Sequence, residues 1–190
     1  MVGVSSPSDA VERRAGQTFI GLLRALVPAV VIVLLLVWWQ SGDPTPAQSV
    51  DPRGDIAYAQ RVSPVPLPAP GALPAGWRAT SARVDAPAGE KRSPVTLTVG
   101  YLTPADKFAE VVIGDRPVVS VLQDAAPSAM RDGSTVVGSS SWDRYRSARG
   151  EPVLATTVGK AAVVVTGDAS DEDLVTLAGS VRAGSTQATR

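Results

Sequence analysis

The residue types on which most enzymes depend are missing from this chain of 190 residues, which contains neither His nor Cys. A Ser-His-Asp triad, a Cys nucleophile and a typical zinc site are therefore excluded. The serines at 139–141 lack the G-x-S-x-G spacing of a nucleophile elbow, and the sequence has no Gly-rich phosphate-binding motif. We expect no catalytic, cofactor-binding or metal-binding residues and no cofactor.

Two other groups of residues have a spacing that would allow catalysis or cation binding. Thr157 and Lys160 are three residues apart, but they lie where a hairpin turn is expected. The acidic residues at 171–173 could bind a cation. Acidic side chains are also favoured in the first turn of a helix, where they stabilise the positive end of the helix dipole without any metal. We favour helix capping for this group.

A charged group surrounds Trp142. Alternation along a strand places Trp142, Arg144 and Arg146 on one side, and Asp143 and Tyr145 on the other. The charges could form a ligand site. Since each face then carries an aromatic ring beside charged side chains, the pattern also indicates a strand at the edge of a sheet.

Glu110 lies in the middle of a predicted strand, and it is the one carboxylate whose position there favours partial burial. Strict alternation puts it on the same face as Phe108, whereas a bulge between them would turn it outward. Carboxylates with a shifted pKa can act as general acids or bases. A hydrolase acting on envelope material would need two carboxylates facing each other across a cleft, about 5–10 Å apart.

The aromatic side chains permit two interpretations. Trp77, Tyr101, Phe108, Trp142 and Tyr145 could line an apolar groove, or they could be core residues, since a small domain with few aromatic residues needs them for burial. We favour the second and predict one core. Its members are Trp77, Leu97, Val99, Phe108, Val112, Leu122, Trp142, Val163, Val165, Leu174 and Leu177.

An apolar run at residues 25–39 predicts a membrane anchor. Extended back to residue 19, the segment spans about 31 Å as a helix, which matches a hydrocarbon core of roughly 30 Å. Arg24 then lies near the start of the span, where it can snorkel to the headgroups. Arg13 and Arg14 precede the span and the next basic residue after it is Arg53, so residues 1–18 are predicted to be a cytoplasmic tail. The lipid bilayer is the predicted partner of residues 19–39.

A cleaved signal peptide is the alternative to this anchor. Its apolar core would run about 7–15 residues and end in a small-x-small site. Here the run ends in Trp-Trp-Gln at 38–40, and the weak candidate site at 47–49 lies further on. A buried core helix would need polar residues at helical spacing, and none lies between Ala25 and Val37. We predict an uncleaved single-pass anchor, with the C-terminal domain extracytoplasmic.

Residues 40–71 contain seven prolines among small and polar residues. Closely spaced prolines favour extended polyproline II, so this segment is predicted to be a spacer. A proline-motif ligand is the alternative. The domain that follows carries thirteen basic and thirteen acidic residues over 71–190, which argues against a nucleic-acid partner because such a partner would need a basic stripe.

The sequence predicts one extracytoplasmic α+β domain at residues 72–183, followed by a disordered tail at 184–190. Alternation and turn residues indicate one antiparallel sheet of six or seven strands packed with two helices. One helix begins at Pro117, and the other begins with a capping box formed by Ser170 and Asp173. This order of elements predicts one sheet and one helical layer. The strands are predicted at 77–84, 95–102, 107–113, 133–137, 141–147, 153–157 and 161–167.

An ordered set of short stretches resembles the actinobacterial family called domain of unknown function 4245. The stretches are Leu73-Pro74-Ala75-Gly76-Trp77-Arg78, Gly100-Tyr101-Leu102-Thr103-Pro104, Trp142 with Tyr145-Arg146, Gly167-Asp168-Ala169-Ser170, and Leu174 through Leu177-Ala178. The resemblance covers most of residues 20–183 and implies a single-pass membrane protein with no assigned activity. The family shows a polar residue with Ser after the second strand, where this chain has Ile113-Gly114.

These observations predict a membrane-anchored extracytoplasmic binding or interaction module without catalytic activity, whose partner is an unknown protein or envelope component. Two alternatives remain at this point. One is a carboxylate-dependent hydrolase of envelope material, and the other is a carrier of a small apolar ligand, which would need an enclosed cavity between sheet and helices.

Overall fold

The computed structural model describes residues 49–86 and 94–182, which belong to one compact unit that begins at Gln48. The predicted cytoplasmic tail, membrane anchor and C-terminal tail lie outside the described residues. Among the helices of the described residues, none is long and apolar enough to cross a membrane.

Seven antiparallel strands form the main sheet, in the spatial order β2-β3-β4-β8-β7-β6-β5. The chain builds it as two meanders, β2 to β4 and β5 to β8, which meet where β4 pairs with β8. Strands β1 and β9 form a separate two-residue pairing. The bounds are β1 Ala69–Pro70, β2 Arg78–Asp85, β3 Thr96–Leu102, β4 Phe108–Gly114, β5 Met130–Val137, β6 Ser140–Arg146, β7 Pro152–Val158, β8 Ala161–Gly167 and β9 Val181–Arg182.

Within residues 49–86 and 94–182, three helices cover this sheet: α1 (Arg53–Val62), α2 (Val118–Ala125) and α3 (Asp171–Ser180). Helices α1 and α3 pack on one face, called face 1, and α2 packs on the opposite face, called face 2. The predicted antiparallel α+β class is confirmed. Both predicted helices are present, as α2 and α3, and α1 is an additional helix in the segment predicted to be a spacer. The prediction of one helical layer was wrong, because the central strands are apolar on both faces and each face requires cover.

Local sequence signals explain most elements. Ser170 and Asp173 form the predicted capping box of α3, in which the Ser170 hydroxyl accepts from the Asp173 N–H at 3.1 Å. Pro117 is the N-cap of α2. The β7–β8 hairpin turns at Gly159 and Lys160, with Gly159 at φ 64°, a conformation that glycine adopts without steric cost.

The buried side chains form two clusters, one on each face of the sheet, instead of the single predicted core. Val112 and Leu122 belong to the cluster on face 2. Trp77 is half-buried against the face 1 cluster, and Phe108 is 39% exposed, so its assignment to the core was wrong. The predicted core residues Leu97, Val99, Trp142, Val163, Val165, Leu174 and Leu177 are buried together on face 1.

Helix α1 lies within the segment that was predicted to be an extended Pro-rich spacer. The extended conformation was wrong for residues 53–62, because the prolines flank the helix instead of interrupting it: Pro52 is its N-cap and Pro64 follows its end. Ala59 and Leu67 are both completely buried in the face 1 cluster. The segment from α1 to Leu67 therefore contributes to the core of the domain.

Leu67→Ala tests this contribution. Truncating a fully buried leucine removes apolar burial and leaves a cavity, so the free energy of unfolding of residues 48–190 should fall by about 2–5 kcal/mol. Urea denaturation followed by circular dichroism would measure the change. Tyr58→Ala is the control in the same segment, since Tyr58 is 46% exposed and its loss should change stability little. Equal stability of the Leu67 variant and the native chain would show that the segment is not part of the core.

Candidate functional site

Helix α2 leaves a large part of face 2 uncovered. It packs over β4, β7 and β8, while the face 2 side chains of β2 and β3 lie beyond it. Those positions carry polar residues, since Arg83 pairs across the strands with Thr98, and Asp85 pairs with Thr96. A concave polar surface results, with the sheet as its floor and α2 as one wall.

This surface consists of two adjoining depressions, which we call together the trough. The first has a volume of about 300 Å³ and lies between β2 and α2, over Thr96 and Thr98. The second has a volume of about 350 Å³ and continues past Phe108 toward the turn before β7. Glu110 and Ala125 line both depressions, so Glu110 lies at their junction.

Glu110 follows the strict alternation of its strand and shares face 2 with Phe108 and Val112, without a bulge. It pairs with Gly100 on one side and with Thr166 on the other. Burial raises the pKa of the Glu110 carboxyl, and the positive charge of Arg83 offsets part of that rise. The carboxyl therefore keeps its proton to a higher pH than an exposed glutamate does.

Two arginine–aspartate ion pairs form the walls of the first depression. Arg83 on β2 contacts Asp85 at 3.0 Å, and Arg116 contacts Asp124 of α2 at 2.6 Å. Both pairs are largely exposed, so we expect them to orient the guanidinium groups more than to stabilise the fold. Within the described part of the chain, the buried Nε of Arg116 has no hydrogen-bond partner. An unpaired buried donor is costly.

The Phe108 ring lies beside the junction, against the backbone of β3. A Cβ placed on Gly100 would lie 3.0 Å from a carbon of this ring, so the absence of a side chain at Gly100 makes room for it. The Phe108 N–H donates to Asp168 at 2.7 Å. Gly167, at φ 149°, approaches the Phe108 carbonyl so closely that a Cβ would collide with it. These contacts fix the backbone that carries the exposed ring.

The charged group around Trp142 does not form a common ligand site. Asp143 lies on face 2 and pairs with Arg131. Arg144 and Arg146 lie with Trp142 on face 1, and both pair with Asp171 at 2.9 and 3.0 Å. The predicted alternation is therefore confirmed, but the position is different: β6 lies next to the edge and β5 is the edge strand.

The five aromatic residues do not line one groove either, because the structure distributes them over both faces. Trp142 and Tyr101 are buried on face 1, where Trp77 meets Tyr101 edge-on with ring centroids 6.3 Å apart. Burial raises the pKa of Tyr101 to about 12, so its phenol stays protonated. Phe108 and Tyr145 lie on face 2.

The other candidate groups have structural roles. The acidic residues at 171–173 form the first turn of α3, and Asp173 takes part in its capping box. Lys160 lies in the hairpin turn, and Thr157 is exposed on the part of face 2 that lies across α2 from the trough. Over residues 49–86 and 94–182, no group of three or more potential metal ligands was found.

A carrier of an apolar ligand would need a cavity between the sheet and a helix, and the space between α3 and face 1 is one such place. A pocket there, lined by Leu154, Leu174 and Val175 among others, has a volume of about 40 Å³. Sites for small organic ligands measure about 300–1,000 Å³. This pocket is too small for such a ligand, whereas the trough is large enough but polar.

The comparisons with known proteins give one family. A family model with the description "Protein of unknown function (DUF4245)" matches residues 14–181. The chain belongs to this family. The match confirms the resemblance seen in the sequence, and it includes the apolar run at 25–39 as well as nearly all described residues. The comparisons with curated proteins and with solved structures gave no significant match.

Sequence reasoning singled out Glu110 but missed the residues around it. Arg83, Thr98 and Arg116 come from β2, β3 and the turn before α2, and nothing in their spacing indicates that they meet. One signal was available: the threonines at 96 and 98 alternate with buried Leu97 and Val99. That alternation indicates a strand with one face toward solvent, which is where the trough lies.

The raised pKa of Glu110 predicts a pH effect on stability. The folded state binds the Glu110 proton more tightly than the unfolded state does, so this contribution to stability is full below the unfolded pKa. It is lost as the pH rises through the folded pKa. Glu110→Gln removes the titration, so the melting temperature of the variant relative to the native domain should increase from pH 4 upward and then level off.

Differential scanning fluorimetry of residues 48–190 at a series of pH values would measure this difference. Glu172→Gln is the matched control, because Glu172 is an exposed residue of α3. A difference between the Glu110 variant and the native domain that stays constant with pH would contradict a raised pKa.

Proposed function

We propose that this protein is a single-pass, membrane-anchored module whose extracytoplasmic domain binds a component of the cell envelope through the trough. The observation that carries the binding function is the open polar surface that α2 leaves on face 2, with Glu110 at its centre. Concave surfaces with a few convergent polar groups are the usual places for ligands.

The anchor is supported by the sequence. Residues 19–39 are long enough to span the hydrocarbon core, and the basic residues before them favour a cytoplasmic N-terminus. The family match begins at residue 14, so the apolar run lies inside the part that matches the family. On this basis the bilayer is the partner of residues 19–39, and the domain faces the outside of the cytoplasmic membrane.

The state of the carboxylates favours binding over catalysis. Asp85 and Asp124 each pair with an arginine, and Asp168 accepts hydrogen bonds from Lys107 and from the Phe108 N–H. Carboxylates engaged in this way are held in a fixed orientation. They present charges and acceptors to a ligand and need no proton transfer to do so.

A carboxylate-dependent hydrolase is the second candidate, because one observation favours it. Glu110 combines partial burial, a raised pKa and a position in a cleft that other carboxylates also line, which is the combination expected of a general acid. Turnover of an envelope glycan or peptide by the purified protein, abolished by Glu110→Gln, would decide for the hydrolase and against the binding module.

A topology experiment tests the anchor. A reporter that is active only in the cytoplasm, fused after residue 190, should give no signal, while the same reporter placed before residue 1 should be active. The chain should remain in the membrane fraction after high-salt washing. An active reporter at the C-terminus, or release of a shortened chain from the membrane, would refute the proposed topology.

Photo-crosslinking in living cells tests the trough. A photo-crosslinking amino acid at Thr98, on the trough floor, should form a covalent adduct that shifts the chain on a gel. The same amino acid at Thr157 is the matched control, since it replaces the same residue type on the same face of the sheet, across α2. Adducts at Thr157 but not at Thr98 would mean that the partner binds elsewhere.

A further inference from the structure

The position of the trough on the face of a sheet restricts what it can recognise. The backbone groups of β3 and β4 are paired on both sides within the sheet, whereas β2 is an edge strand that pairs with β3 on one side. The free backbone groups of β2 point outward in the plane of the sheet, so a ligand that lies on face 2 meets side chains. Extended peptides are usually recognised at sheet edges by backbone hydrogen bonds, and helical peptides in apolar grooves. The trough offers neither, which disfavours a peptide.

The side chains of the floor and walls suit a ligand rich in hydroxyl groups. Thr96, Thr98 and Thr166 carry hydroxyls that both donate and accept, Arg83 and Arg116 only donate, and ionised carboxylates only accept. A sugar hydroxyl also donates and accepts, so a saccharide can satisfy all three kinds of partner. A hydrocarbon would leave them without hydrogen bonds, at the cost of their desolvation.

The charges of the trough indicate a neutral ligand. Six acidic and three basic residues line the two depressions. The arginines of the first depression are already paired with Asp85 and Asp124. In the second depression, Asp106 pairs with Arg78 and Asp168 pairs with Lys107. A phosphate, sulfate or uronate group would therefore find four basic side chains at the trough already held by carboxylates, which disfavours anionic polymers and anionic lipid headgroups.

Phe108 supplies an apolar surface in the second depression, beside its junction with the first. Its ring rests against Gly100, and Phe108 remains 39% exposed, although most of the other residues that line the trough carry charged or hydroxyl side chains. The C–H groups on one side of a sugar ring form a flat apolar patch, which can pack on an aromatic face while the hydroxyls at its edge reach polar partners. An exposed ring bordered by hydroxyls and charges suits this arrangement.

From these observations we infer that the trough binds a neutral saccharide chain, which packs on Phe108 and forms hydrogen bonds with Thr98, Glu110 and the arginines of the walls. The chain runs from the first depression across Glu110 to the second. This inference rests on the binding function proposed above and specifies its ligand class.

The test uses the full-length chain in lipid nanodiscs, because glycosidic detergents would compete for the trough. The protein is applied to an array of immobilised oligosaccharides, in which neutral hexose and pentose oligomers stand beside uronate-containing and sulfated ones. Affinity for the best ligand is then measured by biolayer interferometry. We expect binding to neutral oligosaccharides and none to the acidic ones.

Two substitutions at Phe108 separate the flat ring from its apolar bulk. Phe108→Tyr keeps the ring and should retain affinity. Phe108→Leu keeps apolar bulk without a flat face and should weaken binding about two- to tenfold, the range expected from the loss of an aromatic stacking contact. Thr98→Val, which removes one hydroxyl from the floor, should weaken binding as well. Tyr58→Ala is the control, since it removes an exposed aromatic side chain on face 1 and should leave affinity unchanged.

Each outcome supports or overturns the saccharide inference. Binding only to acidic oligosaccharides, or to none on the array, would overturn the saccharide class. Unchanged affinity of Phe108→Leu and Thr98→Val would overturn the trough as the saccharide site. The crosslinking result at Thr98 separates these failures from failure of the proposed function. A protein or lipid adduct there would retain binding through the trough and reject the saccharide, whereas no adduct at Thr98 would reject the trough as the binding site.

Discussion

The pairing of β4 with β8 is the constraint on which the rest of the structure depends. These two strands join the two meanders of the sheet, and their side chains are buried on both faces, as Val111 and Val165 are on face 1 and Val112 and Val164 are on face 2. A sheet with an apolar centre on both sides must be covered on both sides. The three helices meet that requirement, with α1 and α3 on one face and α2 on the other.

The helices leave part of face 2 uncovered, and this uncovered part is the candidate site. Helix α2 has eight residues and is therefore about 12 Å long, while seven strands spaced about 4.8 Å apart make a sheet roughly 29 Å wide. A single short helix can cover only the centre of face 2. The uncovered flank must interact with water, and β2 and β3 accordingly place Arg83, Thr96 and Thr98 there. The trough is thus a direct consequence of how much of the sheet α2 can reach.

Some ion pairs of the domain connect its secondary-structure elements, and others line the candidate site. Asp171 in the first turn of α3 holds Arg144 and Arg146 of β6, which links the helix to the strand beside the edge. Around the trough, Arg83 and Arg116 are held by their aspartates. Glu110 differs from these carboxylates because partial burial, and not a close ion pair, dominates its environment. The walls of the site therefore carry ion-paired side chains, and its centre carries the Glu110 carboxyl, whose pKa is raised by burial.

The sequence by itself determined the elements whose signals are local. Hairpin strands such as β7 and β8 follow from alternation and from a glycine turn, and α3 follows from Ser170 and Asp173, because strand pairing across a short turn and helix capping involve residues close together in the chain. The same holds for Glu110, whose orientation follows from the alternation of its strand. Signals for α1 were also present, with Pro52 before it and Pro64 after it, but the density of prolines suggested an extended segment.

Only the tertiary structure decided which face each helix covers. Periodicity shows that a helix or strand has an apolar side but not what packs against it, so Val112 and Leu122 were assigned to one core with Trp142 although they lie on the opposite face. The meeting of Arg83, Glu110 and Arg116 depends on the strand order and on the path of α2. These are long-range arrangements set by burial over the whole sheet, and no spacing along the chain encodes them.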